Sequence, residues 1–214
     1  MTRIIALNGP AGAGKDLCTE IMTSQMLFRD PDVRIRSLSF AAPIKEAVAA
    51  ILGCTPECFE DREFKEGSLK ESHALDTSPR KMMQLLGDDF ARQMVDKDIW
   101  LKAAKARYEN AQLTGADYVF ITDLRYENEQ EWVLESGGVV IYIDRQDAAP
   151  VASHVSEAGL SRPPCFVIDN NRSIDVLRKE CLEMVRLLQP QKLQRLSIDD
   201  CSPAEWNRAT SRCM

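Results

Sequence analysis

Apolar residues along the chain gather in five short runs, at residues 4–7, part of 33–40, 118–122, 139–143 and 166–168. Each is too short for a helix and rich in Ile, Val, Leu, Phe or Tyr, which reads as strand. The segments between them carry helical spacing, so the pattern predicts an α/β domain with a five-stranded parallel sheet flanked by helices in three layers.

The helices announce their ends. After Phe40-Ala41-Ala42, Pro43 suits a first turn and Gly53 a position just past the end, with Ile44, Ala47, Val48, Ile51 and Leu52 as the apolar stripe between them. Near Pro79 a further helix should carry Met82, Met83, Leu85 and Leu86 and stop before Gly87. Another should run over about 98–112 and lead through Gly115 into the third strand. Ser173 is placed to cap a last helix whose stripe is Ile174, Leu177, Cys181, Met184, Val185 and Leu188, with Pro190 ending it. Residues 57–78 are charged and lack an apolar period, which predicts a substrate-side insertion or mobile loop. The domain is thus expected over 1–189, with an insertion at about 54–100, a lid at about 145–165 and a polar tail over 190–214.

Composition narrows the class. The chain has 214 residues, of which 44 % are hydrophobic and 28 % charged, as for a globular protein with one sizeable core. A net charge of −6 lacks the basic face of a nucleic-acid binder. No run approaches a membrane span and the first residues show no signal peptide. The seven scattered cysteines offer Cys54 and Cys58 as a close pair but no second pair for zinc, so they read as reduced thiols of a cytosolic protein.

The sharpest chemical signal is Gly9-Pro10-Ala11-Gly12-Ala13-Gly14-Lys15-Asp16, directly after the first strand and before a helical pattern. Glycine, four residues, then Gly-Lys is the spacing of the Walker A phosphate loop. Glycines let the backbone aim N–H groups at phosphate oxygens, the next helix offers its positive end, and the lysine neutralises β- and γ-phosphate charge. Asp16 stands where a Ser or Thr is usual. A carboxylate can ligate Mg²⁺ as a hydroxyl does; the alternatives are action through water or a contribution from Thr19.

Further segments follow in order: FAAPIKEAVAAILG, SPRKMMQLLGDDFARQMVDKDIWL, ITDLRYENE, HVSEAGL and VIDNN. Together with LNGPAGAGKD they make the chain resemble the phage-type deoxynucleoside monophosphate kinases over most of residues 3–188, the tail lying outside the match. That family also uses Asp directly after the loop lysine. The resemblance implies the nucleoside monophosphate kinase fold with a closing lid, ATP and Mg²⁺, a dNMP acceptor phosphorylated to the diphosphate, and a homodimer. Another small-molecule kinase resembling dephospho-coenzyme A kinase, a kinase for a modified dNMP or for a modified base in DNA, and a non-catalytic nucleotide-binding regulator are the competing readings.

Under the resemblance, Gly9, Ala11, Gly12, Ala13, Gly14, Lys15 and Asp16 hold ATP and its metal. Lys45 resembles a pocket lysine that meets the acceptor phosphate, against a solvated first-turn lysine. Arg80 and Lys81 share that phosphate, with the inward one undetermined; Gln84 and Gly87 follow on the same segment. Trp100 resembles a residue lining the nucleoside pocket, or is a core tryptophan. Asp123 and Arg125 end a core strand, where charge rarely serves packing; Asp123 would hold sugar, base or the metal shell, and Arg125 would reach the transferring phosphate or pair with Glu129. Glu127 and Asn128 suit either nucleoside contact or helix N-terminal chemistry. Arg145 opens the lid as a candidate catalytic arginine, with His154 and Glu157 moving with it, and Asn170 is a candidate contact to the ATP base, or a turn residue.

Overall fold

The structure is a computed structural model that describes residues 2–147, 160 and 162–188. Five strands form one sheet: β1 (Arg3–Asn8), β2 (Ile35–Leu38), β3 (Tyr118–Ile121), β4 (Val139–Asp144) and β5 (Phe166–Asp169). Their order is β2-β3-β1-β4-β5, and every neighbouring pair is parallel. β1 lies in the middle, and Ile4, Ile5, Ala6 and Leu7 are all buried because both sheet faces are covered. All five runs expected to be strands are strands.

The described chain makes two compact units, one built from the chain up to Leu38 and from Tyr108 onward, the other from Ser39–Arg107. The first holds the sheet. Its core joins Ile5, Leu7, Phe120, Ile141, Ile143 and Ile168 to Cys18, Met22 and Met26 of α1 (Lys15–Arg29) and to Leu177, Cys181, Met184 and Val185 of α8 (Ile174–Leu187). The stripe expected on α8 is buried except at Ile174, and Ser173 sits at the N-cap without a side-chain capping bond. Tyr108 of α6 (Ile99–Leu113) meets Trp132 of α7 (Glu127–Glu135) edge-on and donates its hydroxyl to the Thr2 carbonyl.

The second unit has its own core of Val48, Ala49, Leu52, Phe59 and Leu69, with Phe64, Met82, Met83 and Leu86 packed against it. α2 (Ala42–Leu52) has Pro near its start, and Gly53 closes it at φ 64. Its buried face matches the expected stripe in part: Val48 and Leu52 are inside, joined by Ala49, whereas Ile51 is 64 % exposed and Ala47 is also outside. The sequence APIKEAVAAIL is apolar around most of its circumference, so spacing alone does not choose the face.

Residues 57–78, expected as a substrate-side insertion or mobile loop, hold short helical turns. A 3₁₀ turn (Pro56–Glu60), α3 (Arg62–Glu66) and α4 (Lys70–His73) fill much of the stretch, anchored by buried Phe59 and Leu69. Such turns are too short to display a 3.6-residue period; Pro56 and the Asp61 carboxylate, which accepts from the Glu63 N–H, are their sequence marks.

The helix starting at Pro79 does not stop before Gly87 either. α5 (Pro79–Gln84) continues as a π-helical segment, Leu85–Val95. Gly87 serves close packing: a Cβ there would lie 2.8 Å from Ile44 Cδ1. No helix among the described residues is long and apolar enough to cross a membrane.

Candidate functional site

Parallel strands bring their carboxyl ends to one sheet edge, and in the first unit that edge gathers chemistry from four adjacent strands. β1 ends in the glycine loop, β3 in Asp123 and Arg125, β4 in Arg145, and β5 in Asn170. Open α/β sheets bind ligands at this edge.

The loop from Gly9 to Gly14 leads straight into α1, with Gly14 as its N-cap in the left-handed conformation at φ 92. Gly9 has φ 142, and a Cβ there would stand 2.6 Å from the Ile143 carbonyl oxygen, so no other residue fits. Lys15 Nζ donates to the Gly9 and Pro10 carbonyls at 2.8 and 2.9 Å, which folds the ammonium over the loop. Asp16 is exposed in the first turn. The Thr19 hydroxyl donates to the Lys15 carbonyl at 3.0 Å, an ordinary helix back-bond.

Two arms reach this loop from the neighbouring strands. Asn170 Nδ2 donates to the Ala13 carbonyl at 2.7 Å, and an Arg145 guanidinium nitrogen lies 3.4 Å from the Gly12 carbonyl. Asn170 therefore meets the phosphate loop itself. On the other side, Asn8 Nδ2 at the end of β1 donates to the Leu124 carbonyl at 2.8 Å, tying the Asp123–Arg125 turn to the strand that carries the loop.

That turn has a second anchor. Glu129 is 1 % exposed, and its carboxylate accepts the backbone N–H groups of both Arg125 and Tyr126 at 3.1 Å. Glu129 thus meets Arg125 through the main chain, capping α7 from its third residue. The Asn128 side chain accepts from the Glu129 N–H at 3.0 Å near the start of α7, and Glu127 is exposed beside it.

In the second unit, Lys45 Nζ donates to Glu60 Oε1 at 2.7 Å. That bond holds the Glu60 carboxyl below its ordinary range. Arg80 pairs with Glu66 at 3.1 Å, and its Nε is buried with no hydrogen-bond partner among the described residues. Lys81 is exposed. Trp100 Nε1 donates to the Gly87 carbonyl at 2.7 Å, joining α6 to the π-helical segment, and Gln84 is half-buried one turn before it. His154 and Glu157 lie outside the described residues.

A family model described as deoxynucleotide monophosphate kinase matches residues 59–181, more than half of the sequence. The chain belongs to the deoxynucleotide monophosphate kinase family. Two curated relatives agree. A putative deoxynucleotide monophosphate kinase of Acanthamoeba polyphaga mimivirus is 27 % identical over 85 % of this chain and 95 % of its own length. The deoxynucleoside-5′-monophosphate kinase of Escherichia phage T5 is 27 % identical over 64 % of this chain and 73 % of its own. Among solved structures, the APS kinase CysC of Mycobacterium tuberculosis in complex with AMPPNP and APS covers 87 % of this chain and 97 % of its own at 12 % identity, with a TM-score of 0.48.

Sequence reading missed the supports of this deoxynucleotide monophosphate kinase family member. Asn8, Glu60 and Glu66 carry no role in the sequence reading. An amide ending an otherwise apolar strand was the available signal for Asn8. Acids partnering distant cations leave no local mark.

Proposed function

We propose that the protein transfers the γ-phosphate of ATP to deoxynucleoside 5′-monophosphates, giving diphosphates for dNTP supply. The observation that carries this is the glycine loop, its lysine and two strand-end arms at one carboxyl edge of a parallel sheet, in a chain of this family.

Each residue has a task in that reading. Backbone N–H groups of Gly9–Gly14 and the N-terminal end of α1 take phosphate oxygens, and Lys15 leaves the loop carbonyls to neutralise the transferring group. Arg145 and Arg125 supply positive charge to the same reaction. Lys45 and Arg80 bind the acceptor phosphate, with Arg80 offering two parallel N–H bonds that a lysine lacks. Gln84, Gly87, Trp100, Asp123 and Asn128 serve the nucleoside, with Lys81 and Glu127 exposed beside them. The acceptor is already an anionic oxygen nucleophile, so catalysis rests on positioning and charge.

Mg²⁺ fits the donor set. Among the described residues no cluster of three or more His, Cys, Asp or Glu side chains forms a dedicated metal cage. The exposed Asp16 carboxylate at the end of the loop is a hard oxygen donor suited to an ion that takes most of its ligands from phosphate and water. Such an ion supplies charge neutralisation on the phosphates. The thiols of Cys18, Cys54, Cys58 and Cys181 suit the reducing cytoplasm, where ATP and dNMPs are available. A homodimer, implied by resemblance, is a separate expectation for sedimentation to check.

ADP release from ATP–Mg²⁺ should appear with one or more dNMPs and not with dephospho-coenzyme A or without acceptor. Turnover with dephospho-coenzyme A alone would replace the substrate, and ATP binding without acceptor-stimulated turnover would favour a regulator.

A further inference from the structure

β5 ends in two consecutive asparagines, and both are committed to neighbouring strand ends. Asn170 Nδ2 donates to the Ala13 carbonyl at 2.7 Å; a carbonyl only accepts, so the amide nitrogen must face it. Ala13 is completely buried. The same nitrogen fills the space beside Gly14, where a Cβ would approach it to 2.7 Å. Asn171 holds the turn after β4: its Oδ1 accepts the Gln146 N–H at 2.6 Å, and its Nδ2 donates to Asp144 Oδ2 at 3.0 Å and Asp169 Oδ1 at 2.8 Å. Arg145 lies between the two residues that Asn171 grips.

We propose that Asn170 and Asn171 are positioning residues for phosphate transfer, Asn170 bracing the phosphate loop through Ala13 and Asn171 fixing the turn that carries Arg145. This rests on the reading that the loop binds ATP phosphates. A loop that must hold several N–H groups toward one anion loses affinity when it is free to rearrange. Asn170 ties the end of that loop, next to the start of α1, to the sheet, and Asn171 aims the guanidinium from the adjoining strand. Asn170 acts through the loop, so its effect is felt by the phosphates whatever base they carry.

Inorganic tripolyphosphate separates this role from contact with the adenine base, because it has no base. Titration calorimetry on the full chain with ATP and with tripolyphosphate is the test. N170A should weaken both by a similar factor, about five- to tenfold, the factor for one net hydrogen bond. N170S, which keeps a donor, should recover part of the loss; if N170A does not fold, as judged by its melting curve, N170S against wild type carries the comparison. N171A should keep tripolyphosphate binding while lowering kcat about tenfold, as misaimed groups do. Loss of ATP affinity with tripolyphosphate binding intact would make Asn170 a base contact and overturn the brace. Unchanged affinity for both in N170A, or an unchanged kcat in N171A, would overturn the corresponding half. Wild-type protein that binds neither ligand would sink the kinase reading itself, and the brace with it.

Discussion

Arg80 and Lys81 are adjacent cations with different surroundings. Arg80 keeps a third of its side chain exposed, is held by Glu66 and has a buried unsatisfied Nε, whereas Lys81 faces solvent. A buried donor without a partner costs stability, and under the proposed function an acceptor phosphate is the group that would satisfy it. Arg80→Ala should therefore lower kcat/KM for the acceptor about 100-fold, the scale of a desolvated charge-assisted contact of ~3 kcal/mol. Lys81→Ala should change it less than about threefold, as for an exposed charge. Steady-state kinetics with varied dNMP checks both, and equal losses would refute the assignment. Helical spacing could not decide between them, since neighbours point about 100° apart and the buried face of α5 was unknown from sequence. Gly9 is a second residue-scale test. Gly9→Ala drives a methyl onto the Ile143 carbonyl at φ 142, so ATP binding by calorimetry should be lost and the melting temperature should fall.

Among the elements, the turn between β3 and α7 depends on one buried carboxylate. Removing it in Glu129→Ala leaves the Arg125 and Tyr126 N–H groups without that acceptor, at a cost of about 2–3 kcal/mol in urea unfolding. Glu129→Gln keeps an oxygen and should cost less. α8 supplies a pH test. Burial raises the Glu180 carboxyl, whose Oε2 accepts the Asp169 N–H at 2.7 Å. A carboxyl raised in the folded state contributes its stability below the unfolded value, about 4.3, and loses it as pH rises through the folded value. Glu180→Gln, which keeps an acceptor without charge, should melt higher than wild type at pH 7, and the gap should close below about pH 4. A constant gap across that range would contradict the burial account. The strands were legible because a parallel strand covered on both faces is a nearly continuous apolar run, as in Ile4 to Leu7. The π-helical Leu85–Val95 was not, because a shift from i−4 to i−5 hydrogen bonds leaves no pattern in the residues.

For the whole molecule, the decisive property is order within the sheet. Neither the runs nor the motifs state that β1 lies between β3 and β4, yet that order ties Leu124 to Asn8 at the head of the loop and brings Arg145 and Asn170 onto it. Chemistry was readable residue by residue, whereas the supports became visible only when distant strand ends met. Each of the two units carries its own apolar core, so Arg80→Ala in the second should leave ATP binding by the glycine loop in the first intact. Group transfer is tested most directly by following the phosphorus itself. Incubation with ATP labelled at the γ-phosphate, Mg²⁺ and each common dNMP should place the label in a deoxynucleoside diphosphate, and Lys15→Ala should cut that transfer at least about 100-fold. Label that stays in ATP, or appears only as inorganic phosphate regardless of acceptor, would contradict the account.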